Sequence, residues 1–295
     1  MTKHRSTLFA AVVLAACPRN AQPETQQPAD DVAPSAPAAA PMPALAESPA
    51  PVIEHPGCFM LARVDGSEAI TVHPEDCARA TPPASTFKVP HALIALQTGV
   101  IADPSKRVRW DGTKYDRKEW ETDHDLRSAI RESVVWYFQR TAKTIGRDRM
   151  QHWITELHYG NEDVSGNLVE FWLEKGSLAV TGPQQLAFWQ RLVKGELPID
   201  RKHVDTVLAI VEAPLEFWKP RLPAGESPPP STAVLHAKTG SLWDDHGNTT
   251  WWAGTVDGPN GQWVFVSRVI SDQPWPDYSN AVHEGMKALA QAQVL

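Results

Sequence analysis

With 295 residues, 42% of them hydrophobic and 21% charged, the chain can bury a full core, so it is not a disordered protein. A formal net charge of −7 at pH 7 argues against a nucleic-acid binder, whose affinity rests on positive charge facing phosphate. The length accommodates one folded domain of about 240 residues beside segments that do not belong to it.

The opening Met1-Thr2-Lys3-His4-Arg5 is basic, and Leu8-Phe9-Ala10-Ala11-Val12-Val13-Leu14-Ala15-Ala16 is an apolar run too short for a permanent transmembrane helix. Together they predict a secretory signal. It ends in Leu14-Ala15-Ala16-Cys17, which resembles the lipobox of bacterial lipoproteins. That implies a lipoprotein signal at residues 1–17 with Cys17 as the lipidated first residue, ordinary cleavage being the alternative. Residues 18–54 hold nine of the 26 prolines amid Ala, Gln and Glu. Such a composition builds no core and predicts a disordered tether, on the order of 100 Å long if fully extended. The expected product is an exported, periplasmic protein that meets a membrane only through its lipid, with the folded domain at 55–295. Cys58 and Cys77 then share an oxidising compartment on either side of the first hairpin and are expected to be bonded, two free thiols being the alternative. Nothing in the sequence sets an oligomeric state.

Cys58–Val64 and Glu68–Val72, joined through Asp65-Gly66, read as a β-hairpin. Next, Pro83-Ala84-Ser85-Thr86-Phe87-Lys88 is a proline-bounded loop running into an apolar helix that ends at Gly99. Three residues along a helix bring two side chains onto one face, so the Ser85 hydroxyl and the Lys88 amine should meet at the helix start. Unpaired N–H groups and a partial positive charge there favour a developing anion. A serine N-cap without chemistry would carry the same residues. Val108 to Thr122, rich in Trp, Asp and Lys, reads as a surface excursion. Leu126, Ile130, Val134 and Phe138 mark a helix, and a second runs from Thr141 or Arg147 towards Leu157. Ser133 falls within this helical apolar setting, where its hydroxyl could simply back-bond to a helix carbonyl.

Tyr159-Gly160-Asn161 is a loop, Phe171-Trp172-Leu173 an apolar cluster, and Thr181-Gly182-Pro183 the start of another helix, with one more from His203 to Val211. After Ser227-Pro228-Pro229-Pro230 come three strands, Ala233–Gly240, Thr249–Val256 and Gln262–Ile270, and a closing helix from Tyr278 to Gln293. Strands at both ends with helices between them predict an α+β fold. Its antiparallel sheet would be formed by the N- and C-terminal strands, flanked by helices, with an inserted helical subdomain.

Four motifs stand in one order: Ser85-Thr86-Phe87-Lys88, Ser133-Val134-Val135, Tyr159-Gly160-Asn161 and Lys238-Thr239-Gly240. Jointly they resemble the signature of the serine β-lactamases and penicillin-binding proteins. Ser-x-Val followed by Tyr-Gly-Asn, with Phe171-Trp172-Leu173-Glu174, is similar to the class D β-lactamases. The resemblance implies hydrolysis of a small-molecule β-lactam, and hence antibiotic resistance, through an acyl-enzyme on Ser85. Ser133 would relay a proton between Lys88 and the leaving nitrogen, and Lys238 would supply positive charge near it. The backbone N–H groups of Ser85 and Ser241 would form an oxyanion hole. Substrate would meet Thr239, Gly240, Ser241, Val135, Trp172 and Leu173, while Phe87, Tyr159 and Asn161 would be scaffold.

The same resemblance implies that carbon dioxide or bicarbonate converts Lys88 to N6-carboxylysine, with no metal and no other cofactor. An amine walled by Phe87, Val135, Trp172 and Leu173 disfavours its charged form, and only the neutral amine attacks carbon dioxide. The chain departs from the family at one point. An arginine on or just before the last helix usually pairs with the substrate carboxylate, yet none follows Arg268, and Tyr278 or Asn280 stands near that place. Carboxylate anchoring is therefore expected to fall to Thr239, Ser241 and Lys238, with weaker ground-state binding. The rival readings are a penicillin-binding sensor or peptidase domain that acylates with little turnover.

Overall fold

A computed structural model describes residues 50–244, 247–271 and 280–295; Cys17, nearly all of 18–54, and Tyr278 lie outside the described residues. The strands are β1 (Gly57–Arg63), β2 (Ala69–Val72), β3 (Glu212–Pro214), β4 (Val234–Asp244), β5 (Gly247–Gly258) and β6 (Gly261–Ser271). They form one antiparallel sheet in the order β2-β1-β6-β5-β4-β3. β1 lies directly beside β6, with Leu61 opposite Phe265, so the first and last strands close one surface as the sequence suggests.

The helices are α1 (Pro74–Cys77), α2 (Lys88–Gln97), α3 (Leu126–Arg131), α4 (Val135–Ile145), α5 (Arg147–Glu156), α6 (Gly182–Lys194), α7 (Arg201–Val211) and α8 (Ala281–Gln291). β5 alternates between two cores, as the two-residue period of a strand requires. Trp251 and Ala253 join α2 and α6 on one face, whereas Trp252 and Val256 join Met286 and Leu289 of α8 on the other. Helices thus cover both faces, which is why β5 and β6 read as nearly unbroken apolar runs. α2 is buried from Lys88 to Leu96 and forms the axis of the helical part. Capping boxes start α3 at Asp125 and Ser128 and α6 at Thr181 and Gln184.

α1 and β3 have four and three residues, too few to carry a readable period, and the sequence reading contains neither. Packing also begins ahead of residue 55. Ile53 is buried, the Val52 N–H donates to Gln291 Oε1 (2.8 Å), the Glu54 N–H donates to Glu284 Oε2 (3.1 Å), and Lys287 pairs with Glu54 (2.9 Å). The end of the proline-rich stretch is therefore strapped along α8. Among the described residues no helix is long and apolar enough to cross a membrane.

Cys58 of β1 and Cys77 of α1 are bonded, closing a loop with a sequence separation of 19. At the same corner the buried Arg268 of β6 donates to the carbonyls of Arg79 and Asp76. The paired substitution Cys58→Ser with Cys77→Ser is expected to cost about 3 kcal/mol, the chain-entropy value for a loop of this size. Urea titration with and without reductant measures it, and coincident curves for the parent would mean the bond contributes nothing.

Candidate active site

Ser85 sits in a 3₁₀ turn, Ala84–Phe87, that runs directly into α2. A 3₁₀ turn eclipses residues three apart, so Lys88 lies over Ser85 and its Nζ is 2.7 Å from Ser85 Oγ. Three hydrogen bonds hold the turn. The Ala84 N–H donates to the Trp172 carbonyl (3.0 Å), the Thr86 hydroxyl to the Pro83 carbonyl (2.6 Å), and Gln185 Nε2 of α6 to the Thr86 hydroxyl (2.7 Å). Ala84 itself has φ 49, a left-handed conformation that costs a non-glycine residue about 1 kcal/mol and aims the next side chain.

β4 presses its backbone onto this turn at Gly240. A Cβ there would lie 2.8 Å from the Pro83 carbonyl oxygen and 3.2 Å from the Thr86 nitrogen. The glycine of Lys-Thr-Gly is thus a steric necessity of bringing β4 beside the Ser85 turn.

Ser133 is not inside a helix, contrary to the sequence expectation. It stands between α3 and α4 with φ 58, and its hydroxyl accepts from Lys238 Nζ (3.0 Å) instead of back-bonding to a carbonyl. Lys238 Nζ also donates to the Thr239 carbonyl (3.0 Å). The break exposes the Ser133 hydroxyl to β4, which a continuous helix would not do.

Lys88 is 0% exposed, and its amine lies 5.5 Å from the centre of the Phe138 ring. Phe87, Trp172, Phe138 and His91 form an interlocked cage. Phe87 to Trp172 is 5.7 Å, His91 to Trp172 5.4 Å and His91 to Phe138 5.1 Å between ring centres. Val135 and Leu173, expected as walls, are only half-buried. Phe138 and His91 were missed, although His91 stands three residues beyond Lys88 and the same helical spacing rule would have found it. Trp172 Nε1 and both ring nitrogens of His91 are buried without a hydrogen-bond partner among the described residues.

Burial, with the Arg117 charge adding to it, holds the Lys88 amine down to about 7. Burial and the nearby Lys88 push His91 down to about 3, so its imidazole is neutral at working pH. Burial also lowers Lys238 well below the ordinary lysine range, helped by Lys88, Arg221 and Arg117 and opposed by Glu132.

Tyr159 and Asn161 make packing and backbone contacts. The Tyr159 ring meets Phe87 at 5.7 Å and Phe188 at 5.2 Å. Asn161 accepts from the N–H groups of Ala179 (3.0 Å) and Asp163 (3.2 Å) and donates to the Ser177 carbonyl (2.9 Å). On β4, Thr239 stands opposite Trp252, and Ser241 Oγ pairs with Asn248 Oδ1 (3.2 Å).

The site therefore joins two serine–lysine pairs whose amines are electrostatically coupled, beside a helix start: the parts of a serine acyl-transfer centre. The family model of the penicillin binding protein transpeptidase domain matches residues 65–287. The chain is 37% identical over 213 residues to a Bacillus subtilis protein described as probable β-lactamase YbxI, covering 72% of this chain and 74% of the relative. A solved class D β-lactamase from Bacillus subtilis superposes with TM-score 0.68 at 31% identity, covering 82% of this chain and 93% of that one. The C-terminal domain of the Bacillus licheniformis BlaR penicillin-receptor superposes with TM-score 0.70 at 28% identity, over 81% and 91%. The chain belongs to the class D β-lactamase family.

The Lys88 shift has a signed consequence for stability. Between pH 7 and 10.5 the unfolded chain binds the proton that the folded one has released, so the Lys88 contribution makes stability rise with pH across that window. Lys88→Met is expected to be more stable than the parent by a few kcal/mol at pH 6 in buffer free of carbon dioxide, the gap closing towards pH 10. Urea midpoints at pH 6, 8 and 9.5 measure it; a pH-independent gap would contradict the buried-amine account.

Proposed function

We propose that this protein hydrolyses β-lactam antibiotics through an acyl-enzyme on Ser85, with Lys88 working as N6-carboxylysine. One observation carries this reading: a fully buried amine, held near neutrality, lies 2.7 Å from the Ser85 hydroxyl in a cage that also holds an unpartnered Trp172 N–H. An amine half neutral near pH 7 is competent to take up carbon dioxide, and the buried indole N–H, a donor with no acceptor function, suits one oxygen of the product. The neutral His91 adds a second donor in the same cage. When bound, carbon dioxide supplies an anionic general base for both acylation and deacylation.

Ser85 Oγ attacks the lactam carbonyl carbon and its proton passes to the Lys88 side chain. The backbone N–H groups of Ser85 and Ser241 are assigned to the developing oxyanion. The ring C–N bond then breaks. Its nitrogen takes a proton from the Ser133 hydroxyl, which Lys238, 3.0 Å away, keeps oriented and resupplied. Thr239, Gly240, Ser241, Val135, Trp172 and Leu173 are assigned to the substrate face.

The likeness to the BlaR receptor domain, as good in TM-score as that to the class D enzyme, favours one second reading, a domain that acylates and stops. Turnover separates the two. Purified protein is expected to hydrolyse a chromogenic cephalosporin for many cycles, Ser85→Ala to be inert, and Lys88→Ala to retain any acyl group it acquires. Depleting bicarbonate is expected to lower the rate and replenishing it to restore the rate, with a carbon-13 carbamate signal that Trp172→Ala weakens. A burst of one equivalent would favour the receptor reading. Activity that ignores bicarbonate, with no carbamate signal, would leave Lys88 a plain amine.

We further assign Cys17 as a lipid attachment point after export, leaving the enzyme tethered to a membrane in the periplasm. Labelled palmitate is expected to enter the full chain in a bacterial host and to be lost with Cys17→Ser.

A further inference from the structure

The stretch Leu215–Arg221, a 3₁₀ turn after β3, carries two aromatic rings and an arginine that none of the four motifs explains. Trp218 is buried and meets Trp252 at 5.3 Å between ring centres, and Phe217 meets Trp218 at 5.1 Å. The Arg221 guanidinium carbon lies 5.3 Å from the centre of each of these two rings, held by cation–π attraction. Its backbone is fixed too. Asn280, the residue that caps α8, donates through Nδ2 to the Arg221 carbonyl (2.8 Å). Trp252 stands opposite Thr239 in the β4–β5 ladder, so the stack runs from Arg221 to the Lys-Thr-Gly strand. Arg221, Arg131, Phe217, Lys238 and Thr239 line one cavity.

What this guanidinium lacks is an acceptor. Among the described residues Arg221 has its ring contacts and its backbone bond, but no hydrogen bond or ion pair through the guanidinium. Its surroundings are cationic. Lys238 feels the charges of Arg221, Arg117 and Lys88, and burial with Arg117 lowers Arg221 itself; Glu132 opposes at both groups through its charge, without a hydrogen bond to the guanidinium. The one carboxylate lining the cavity, Glu212, is paired with His236 (3.5 Å). A partly buried planar donor, stacked and without a partner beside two further cations, is complementary to a carboxylate, which accepts guanidinium hydrogen bonds in a paired fork.

We propose that Arg221 pairs with the carboxylate of the substrate, seated on the Phe217 and Trp218 rings beside Thr239. It thereby replaces the arginine missing near the last helix and restores the ground-state binding that Thr239, Ser241 and Lys238 would give only weakly alone. The inference rests on a β-lactam being the substrate, and on nothing about Lys88 carboxylation.

Arg221→Met keeps the aliphatic stem on the rings while removing the charge, and Arg221→Lys returns a charge without the fork. With a chromogenic cephalosporin, Arg221→Met is expected to raise KM about 10- to 100-fold with kcat within about threefold, and Arg221→Lys to recover part of the loss. For the methyl ester of the same substrate, parent and Arg221→Met are expected to have the same KM. The parent's KM for the acid is expected to rise with ionic strength and that for the ester to stay flat. Equal losses on acid and ester, or a parent KM indifferent both to salt and to esterification, would overturn the proposal, the second without any variant. A parent that acylates without turnover would refute the hydrolase reading alone, because the rate of Ser85 labelling by a fluorescent penicillin still reports on Arg221.

Discussion

Holding a lysine amine out of water 2.7 Å from a serine hydroxyl is unfavourable in itself, since the charged form loses its hydration and no carboxylate among the described residues replaces it. The fold sustains that position by making it the first residue of its most buried helix, so the amine cannot retreat to solvent without unpacking α2. The aromatic cage of Phe87, Trp172, Phe138 and His91 completes the enclosure from three separate parts of the chain. The chemistry follows from this constraint. A free lysine is protonated at neutral pH and a poor base or nucleophile, while Lys88, held near 7, is divided between its two forms.

The nucleophile side of the site depends on backbone features that side chains alone would not supply. Ala84 and Ser133 both adopt positive φ, the first just before Ser85 and the second at the serine that faces Lys238. Each is the kind of local strain that persists only where neighbours over-determine it. Ala84 is held by the Trp172 carbonyl, and the chain around Ser133 by bonds from its N–H to Ile130 and from the Val134 N–H to Ala129. Gly240 completes the set by letting β4 touch the Ser85 turn at a distance that a methyl group would forbid. Turn, helix break and strand therefore meet at one place because each gives up some local comfort to do so.

The parts of this arrangement that were legible in the sequence share a physical trait: a short-range signal with one structural solution. Asp65-Gly66 between apolar strands is one, Pro183 in the first turn of α6 is another, and the spacing of Ser85 and Lys88 is a third. The break at Ser133 was illegible because no glycine or proline marks it. The apolar period runs on through Val134 and Phe138 as if the helix continued, and tertiary contact with Lys238 decides otherwise. α1 and β3 were too short to show a period. The strap at residues 50–54 was hidden by composition, since a proline-rich stretch looks unfoldable until a specific partner such as the buried Glu284 is in view.

The charge distribution around the site runs against that of the whole chain. A protein of formal net charge −7 gathers Lys88, Lys238, Arg117 and Arg221 around one pair of serines. Arg117 lowers the proton affinity of Lys88, Arg221 and Lys238, and Lys88 and Arg221 lower that of Lys238, against an opposing Glu132, so the cluster works twice. It keeps the two lysine amines closer to neutrality, where they can exchange protons, and it leaves the guanidinium, whose intrinsic proton affinity is far higher, as the persistent positive charge. An arriving anion would partly undo the first effect, because its charge raises the proton affinity of every cation nearby. The Lys238 amine, beside Ser133 and in the field of Arg221, would therefore be more strongly protonated with an anionic substrate bound than without it. In the proposed mechanism that is the state needed to resupply Ser133 when the ring nitrogen leaves, so anchoring the carboxylate and arming the proton donor would be one electrostatic event.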